Sequence, residues 1–229
     1  MINSEIMYFE VENKMNVTSI HKLIHELKNP LTVCNGYLEM CNNVDSNFKN
    51  QYLNIVKEEI QRTLTIINDY NDIGKSKKLD LDEMDLSYLL LDVKNILNNL
   101  FINNNSQIVL YCDDEFYIDG DYEKLKRVFL NVLKNSLEAK DEVKDGLIVN
   151  IKIKKVYDFY EVSIMDNGVG MTCDELKHIY DEYYTTKKNG TGLGIPYIKE
   201  IIELHGGTIN YFSKKGIGTT VMINLPIKY

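Results

Sequence analysis

His25-Glu26-Leu27-Lys28-Asn29-Pro30-Leu31 lies inside an unbroken helical pattern, and that conjunction decides how the first third of the chain is read. Apolar residues recur at Val17, Ile20, Ile24, Leu27, Leu31, Cys34, Leu38 and Cys41 in alternating steps of three and four, the a/d seam of a coiled coil or bundle helix. Proline inside such a helix costs roughly 3 kcal/mol and bends it, so Pro30 close to a histidine needs a reason. His25 directly follows the seam residue Ile24, at the edge of the bundle, where solvent and a second domain can reach it. A neutral imidazole there presents a lone pair as nucleophile, with Glu26 placed to hold the other ring N–H or take a proton. Taken alone, the stretch fits a plain surface histidine on a kinked helix equally well. His21, four residues earlier, adds an HxxxH pair that could ligate metal, but no third histidine is near and Cys34 lies on the seam.

Working outward, Leu53, Val56, Ile60, Thr63, Ile67 and Tyr70 repeat the same spacing. The polar connection 42–50 is short enough to fold the two runs into an antiparallel hairpin. A lone hairpin leaves much of its seam uncovered, so a homodimer forming a four-helix bundle is expected over residues 1–74. Residues 75–85, with a lysine cluster and then an acidic one, read as a linker. Beyond it, helical runs at 86–100, 122–140 and 195–204 alternate with strand-like runs at 108–112, 147–156, 160–165, 208–212 and 219–225. Residues 86–229 are therefore expected to form an α+β sandwich with helices on one face of a mixed sheet.

Composition narrows the partners. The 229 residues carry a net charge of -8 with 26% charged and 44% hydrophobic residues, which suits globular domains and gives no basic footprint for nucleic acid. No apolar run approaches the roughly 18 residues of a membrane helix, and Met1 to Glu10 carries acids instead of a signal-peptide pattern, so a cytoplasmic protein without a membrane segment is expected. Cys34, Cys41, Cys112 and Cys173 form no CxxC pair, and neither disulfides nor zinc are expected.

Three further stretches carry chemistry. In Asn131-Val132-Leu133-Lys134-Asn135-Ser136-Leu137-Glu138-Ala139 the two asparagines stand at i and i+4, so their carboxamides share one helical face while Leu130, Leu133 and Leu137 are available for the core. Oxygens fixed in this way can complete the shell of Mg²⁺, although a solvated helix face has the same pattern. Asp166-Asn167-Gly168-Val169-Gly170-Met171 follows a strand pattern directly. A carboxylate there can accept from an exocyclic amine such as that of adenine, and glycines let backbone approach a flat ring. Gly190-Thr191-Gly192-Leu193-Gly194 opens a helix whose N–H groups could cradle phosphates, with Lys187 and Lys188 adding charge. A lone GxGxG is weak.

In this order and at these separations the four elements resemble the core of the histidine protein kinases, over about residues 17–226. The 25–31 stretch is similar to that family's phosphoacceptor motif, 131–139 to its asparagine box, 166–170 and 190–194 to its glycine boxes, and Gly218-Thr219-Thr220 to the threonine that supports adenine binding. Residues 179–187 resemble the lid motif, with Tyr180, Tyr183 and Tyr184 where the family usually carries phenylalanine. The combination of KNSLEA with TTKKNGTGLGI is nearest in flavour to sporulation-type kinases. The resemblance implies a Bergerat-type ATP-binding fold, ATP and Mg²⁺ as cofactors, and a response-regulator receiver domain as partner. It implies Asn135 as the Mg²⁺ ligand, with Asn131, Lys134 and Lys187 assisting the phosphates. Asp166 would read adenine with Gly168, Gly170 and Thr220, while Gly190, Thr191, Gly192, Leu193 and Gly194 would wrap the phosphates. His25 would be the phosphoacceptor, Glu26 its base, and Asn29 the residue that orients water in a phosphatase reaction. The alternatives are a serine kinase or ATPase of the same superfamily, or a phosphotransfer scaffold. The first two place a glutamate four residues before the asparagine, where this chain has Asn131.

Overall fold

The computed structural model describes residues 23–41, 46–75, 78–112, 114–187 and 190–228. It divides into two units, Met1–Gly74 and Lys75–Tyr229. Expectations for Val17, Ile20, His21, Lys188 and residues 42–45 fall outside the described residues.

The first unit is a helical hairpin of α1 (23–41) and α2 (Ser46–Lys75). Cys34 Sγ lies 3.6 Å from the Val56 carbonyl oxygen, and the rings of Tyr37 and Tyr52 are 5.4 Å apart. Contacts that advance along one helix and retreat along the other make the pair antiparallel. The seam divides by depth. Cys34, Cys41, Val56, Thr63 and Ile66 are buried, and the Thr63 hydroxyl donates to the Glu59 carbonyl at 2.8 Å, so its polar atom is satisfied within its own helix. Ile24, Leu31 and Leu38 on α1, and Leu53, Ile60 and Ile67 on α2, each seven residues apart, remain 39–53% exposed. A heptad-spaced apolar stripe left bare on both helices is the surface a second hairpin would cover.

The second unit opens with β1 (Asp82–Asp85) and α3 (Leu86–Asn103), then β2 (Ser106–Tyr111), β3 (Tyr117–Gly120) and α4 (Tyr122–Glu138). It continues with β4 (Leu147–Val156), β5 (Phe159–Asp166), α5 (Cys173–His178), α6 (Gly194–Leu204), β6 (Thr208–Lys214) and β7 (Gly218–Pro226). The main sheet runs β2-β4-β5-β7-β6, with β2 parallel to β4 and every other pair antiparallel. Helices α3, α4 and α6 cover one face, where Val149, Ile151, Val162, Ile164, Val221 and Ile223 are buried. Each such side chain stabilises the fold by roughly 1.5–3 kcal/mol through its removal from water. On α4 the core is built by Leu125, Val128, Phe129, Val132 and Leu133, whereas Leu130 and Leu137 are only half-buried.

Residues 82–85, read as linker on the sequence, instead pair with β3 in a separate two-stranded ribbon. The stretch Asp-Glu-Met-Asp has no apolar alternation to betray it; Met84 alone is buried, against a ribbon whose other strand buries Ile118. Asp85 then caps α3, accepting from the Ser87 N–H at 2.9 Å and from the Phe116 N–H at 3.0 Å.

His205 joins two helices. Its Nε2 accepts from the Asp121 N–H at 2.9 Å at the start of α4, and its Nδ1 lies 2.7 Å from the Ile201 carbonyl at the end of α6. Both bonds are satisfied together only by the neutral ring carrying its proton on Nδ1, and burial holds the imidazole below its usual titration range. At this helix end His205 acts as a donor, not a cation.

Candidate active site

The two units contribute separate functional surfaces. On α1, His25 is exposed and Glu26 half-buried, while Asn29, one turn past His25, is exposed and Pro30 is buried. The proline thus packs against the hairpin and the imidazole remains open to solvent, the disposition a nucleophilic or acceptor histidine requires.

In the second unit the strand end of β5, the α4 helix and the β6–β7 turn converge on Asp166. This carboxylate is buried, and its Oδ1 accepts from the Gly168 N–H at 2.9 Å and the Thr219 N–H at 3.0 Å, with the Ser136 hydroxyl a further donor. Burial raises its pKa; the two N–H groups, the hydroxyl and the charge of Lys144 counteract this in part. One oxygen fixed by the backbone and one lone-pair-rich edge remaining is what recognition of an exocyclic amine needs. Gly168 is required by close approach, since a Cβ there would overlap the Ala139 carbonyl oxygen, the same oxygen that accepts the Val169 N–H at 2.8 Å. Gly170 lies in the same turn and is buried.

Thr220 stands opposite Met165, one register position away from Asp166. The residue that touches Asp166 is Thr219, through its N–H, and its hydroxyl lies 2.9 Å from Ser213 Oγ. The sequence offered two adjacent threonines, and only the strand register separates them.

On α4, Asn131 and Asn135 are half-buried and Lys134 is exposed. The Lys187 ammonium donates to Asn135 Oδ1 at 2.8 Å and pairs with the Glu138 carboxylate. A cation is thus already seated at the carboxamide oxygen assigned to Mg²⁺, so this donor set fits a divalent ion of oxygen preference. Ion pairs at this exposure contribute at most about 1 kcal/mol, so a stronger ligand can displace the ammonium.

The segment leading to α6 is held by its own backbone. Gly192 has φ 66° and lies against the backbone of Tyr183, whose N–H donates to the Gly192 carbonyl at 3.0 Å; a side chain would be both strained and overlapping. Thr191 Oγ1 accepts from the Leu193 N–H at 3.3 Å, Leu193 is core, and Gly190 and Gly194 are half-buried. Leu193 caps α6 with no side-chain hydrogen bond, so in the first turn the Gly194 and Ile195 N–H groups receive no side-chain acceptor from the capping residue, while Pro196 has no N–H to satisfy. The extra tyrosine hydroxyl found in the lid-like stretch has a partner: Tyr180 donates to the Ile209 carbonyl at 3.1 Å and its ring meets Tyr211 at 5.8 Å.

Four participants were not singled out on the sequence. Ser136 was legible as a polar residue on the apolar face of α4, and Glu138 as the carboxylate three residues past Asn135. Thr219 stood in the quoted Gly218-Thr219-Thr220 motif without being told apart from its neighbour, and Lys144 left no signal, because its role depends on a turn.

Comparison with known proteins agrees with this layout. Residues 19–78 match the model of the His Kinase A (phospho-acceptor) domain, and residues 120–229 match that of the histidine kinase-, DNA gyrase B-, and HSP90-like ATPase. The chain is 33% identical to Sporulation kinase B of Bacillus subtilis (strain 168) over 231 positions, covering 98% of this chain and 53% of that protein. It is 31% identical to Sporulation kinase C of the same organism over 223 positions, covering 94% and 50%. The chain thus spans about half the length of these relatives. Among solved structures, histidine kinase ThkA in complex with response regulator protein TrrA shares the fold with a TM-score of 0.77 at 23% identity, over 97% of this chain and 66% of that one. With a phosphoacceptor hairpin and an ATPase sandwich matched in order along one chain, the protein belongs to the histidine kinase family.

Proposed function

We propose that the chain binds Mg²⁺–ATP in its second unit, transfers the γ-phosphoryl group to His25, and passes it on to an aspartate of a response-regulator receiver domain. The observation that carries this reading is the buried Asp166 with its two backbone donors, in a chain that also presents an exposed His25 followed by a buried Pro30. The relatives named sporulation kinases support it, as does the ThkA complex with a response regulator.

In this reading Asp166 accepts from the adenine amine, and Gly168 and Gly170 let the ring approach the backbone. Gly190, Thr191, Gly192, Leu193 and Gly194 wrap the phosphates, the Leu193 N–H turning to them from Thr191 Oγ1 and the Gly190 N–H from the Lys187 carbonyl, and Lys187 leaves Asn135 to join Asn131 and Lys134 around them. Mg²⁺ held by Asn135 would neutralise charge on the phosphate oxygens. The His25 lone pair then forms the N–P bond as the bond from γ-phosphorus to the bridging oxygen breaks and ADP leaves with those electrons. Glu26 takes the proton from the other ring nitrogen. Asn29 orients water when the partner's phosphoaspartate is hydrolysed instead. Asn131 stands where a hydrolytic or serine-directed relative would hold a glutamate, which favours histidine as the acceptor.

The test is incubation with γ-labelled ATP and Mg²⁺, followed by purified receiver domains. Label that enters the chain and then leaves it for a receiver domain is expected; a chain that hydrolyses ATP without retaining label contradicts the proposal.

We also propose that the working form is a homodimer through the exposed heptad stripe of α1 and α2. Light scattering is expected to give twice the 26.6 kDa chain mass, and Leu31→Asp with Ile60→Asp is expected to shift it toward one chain. A wild type of single-chain mass at micromolar concentration contradicts this.

A further inference from the structure

The Lys144 side chain reaches from the loop after α4 to three backbone carbonyls that belong to two other segments. Its ammonium donates to Asn167 O at 2.7 Å, Gly168 O at 2.9 Å and Ile217 O at 3.3 Å, and lies 3.9 Å from Asp141 Oδ2. The side chain is 30% exposed, so these bonds are partly shielded from water. Its loop is itself fixed: the Val143 N–H donates to Asp141 Oδ1 at 3.0 Å, and Asn167 returns the contact by accepting from the Ile148 N–H at 2.8 Å.

The carbonyls it holds are not arbitrary ones. Asn167 C=O belongs to the same peptide group as the Gly168 N–H that donates to Asp166 Oδ1. A cation on the oxygen of a peptide strengthens the donor at its other end, since hydrogen bonds in a chain polarise one another. Ile217 C=O lies one peptide before the Thr219 N–H, the second donor to that carboxylate oxygen. The same two segments are also tied by the Gly216 N–H donating to Val169 O at 2.7 Å. One ammonium therefore bridges the turn after β5 and the β6–β7 turn behind the carboxylate proposed to read the base.

We propose that Lys144 is a positioning residue for base recognition, its ammonium setting the Gly168 and Thr219 N–H donors that orient Asp166. This rests on the reading of Asp166 as the base-recognition group. In this role Lys144 acts through the two turns and not on the phosphates, so its loss should weaken and blur base recognition without slowing transfer once ATP is bound.

The test uses the full chain with Lys144→Met and Lys144→Arg, titrated calorimetrically with ATP and with GTP in Mg²⁺, alongside autophosphorylation kinetics and thermal melting. For Lys144→Met we expect ATP affinity to fall about tenfold. The preference for ATP over GTP should narrow, KM for ATP should rise in proportion, and kcat at saturating ATP should hold. Lys144→Arg, which keeps the charge and the donors, should recover most of the affinity. Lys144→Gln reads the same quantities should the methionine variant unfold. Unchanged ATP affinity and base preference overturn the inference while leaving the site intact. Equal loss for both nucleotides together with a fall in kcat also overturns it, since that marks general loosening. A wild type that binds no ATP overturns the reading of the site itself.

Discussion

Asp166→Asn is expected to weaken ATP binding sharply in a domain that still folds. The asparagine carbonyl can keep both bonds now made by Oδ1, to the N–H groups of Gly168 and Thr219, so the turn after β5 has no reason to open. What changes is the other arm, where an NH₂ donor replaces a carboxylate oxygen and meets the donating amine of the base. Losing a charged hydrogen bond and setting two donors against each other in a buried place should weaken ATP binding by about a hundredfold, close to 2.7 kcal/mol. Calorimetry with ATP, paired with a thermal melt near the wild-type midpoint, checks this. Near wild-type affinity would remove Asp166 from the site. Asn135→Asp makes a useful contrast, because it places a carboxylate against the Lys187 ammonium and disturbs the cation's oxygen set instead of the base contact. It should cost autophosphorylation more than it costs nucleotide affinity.

Much of the architecture was legible because periodicity and burial agree. The run 147–156 puts Leu147, Val149, Ile151 and Ile153 on one face and is β4 to the residue, and the helical runs at 86 and 122 begin where the structure begins them. The i, i+4 asparagines do share a half-buried face of α4. What escaped depended on long-range pairing. Asp82–Asp85 carries three acids in four residues, and only the ribbon with β3 makes it a strand. The short helix α5 is set by a capping box between Thr172 and Glu175 that spans too few residues to show a period. Thr219 and Thr220 are indistinguishable in sequence, and only the folded strand shows that the Thr219 N–H reaches Asp166 while Thr220 pairs with Met165. The described seam positions divide into a buried set, which also takes in Ile66 that the spacing did not name, and an exposed set, and that division follows from which side the partner helix takes. That division is the basis for expecting a second copy.

The central proposal is phosphoryl transfer to His25, and the chemistry of the label tests it most directly. Among the histidines, His205 is buried with both ring nitrogens engaged, and His178 at the end of α5 is held 2.8 Å from Asp181 Oδ2. His25 is exposed beside Glu26. His25→Gln should therefore keep ATP binding and dimer mass while labelling falls to background, whereas His21→Gln should still be labelled. Wild-type label should be lost in acid and survive alkali, as a phosphorus–nitrogen bond requires. Label that persists in His25→Gln would move the acceptor to another residue, and label that withstands acid would place it on a hydroxyl; either result contradicts the account.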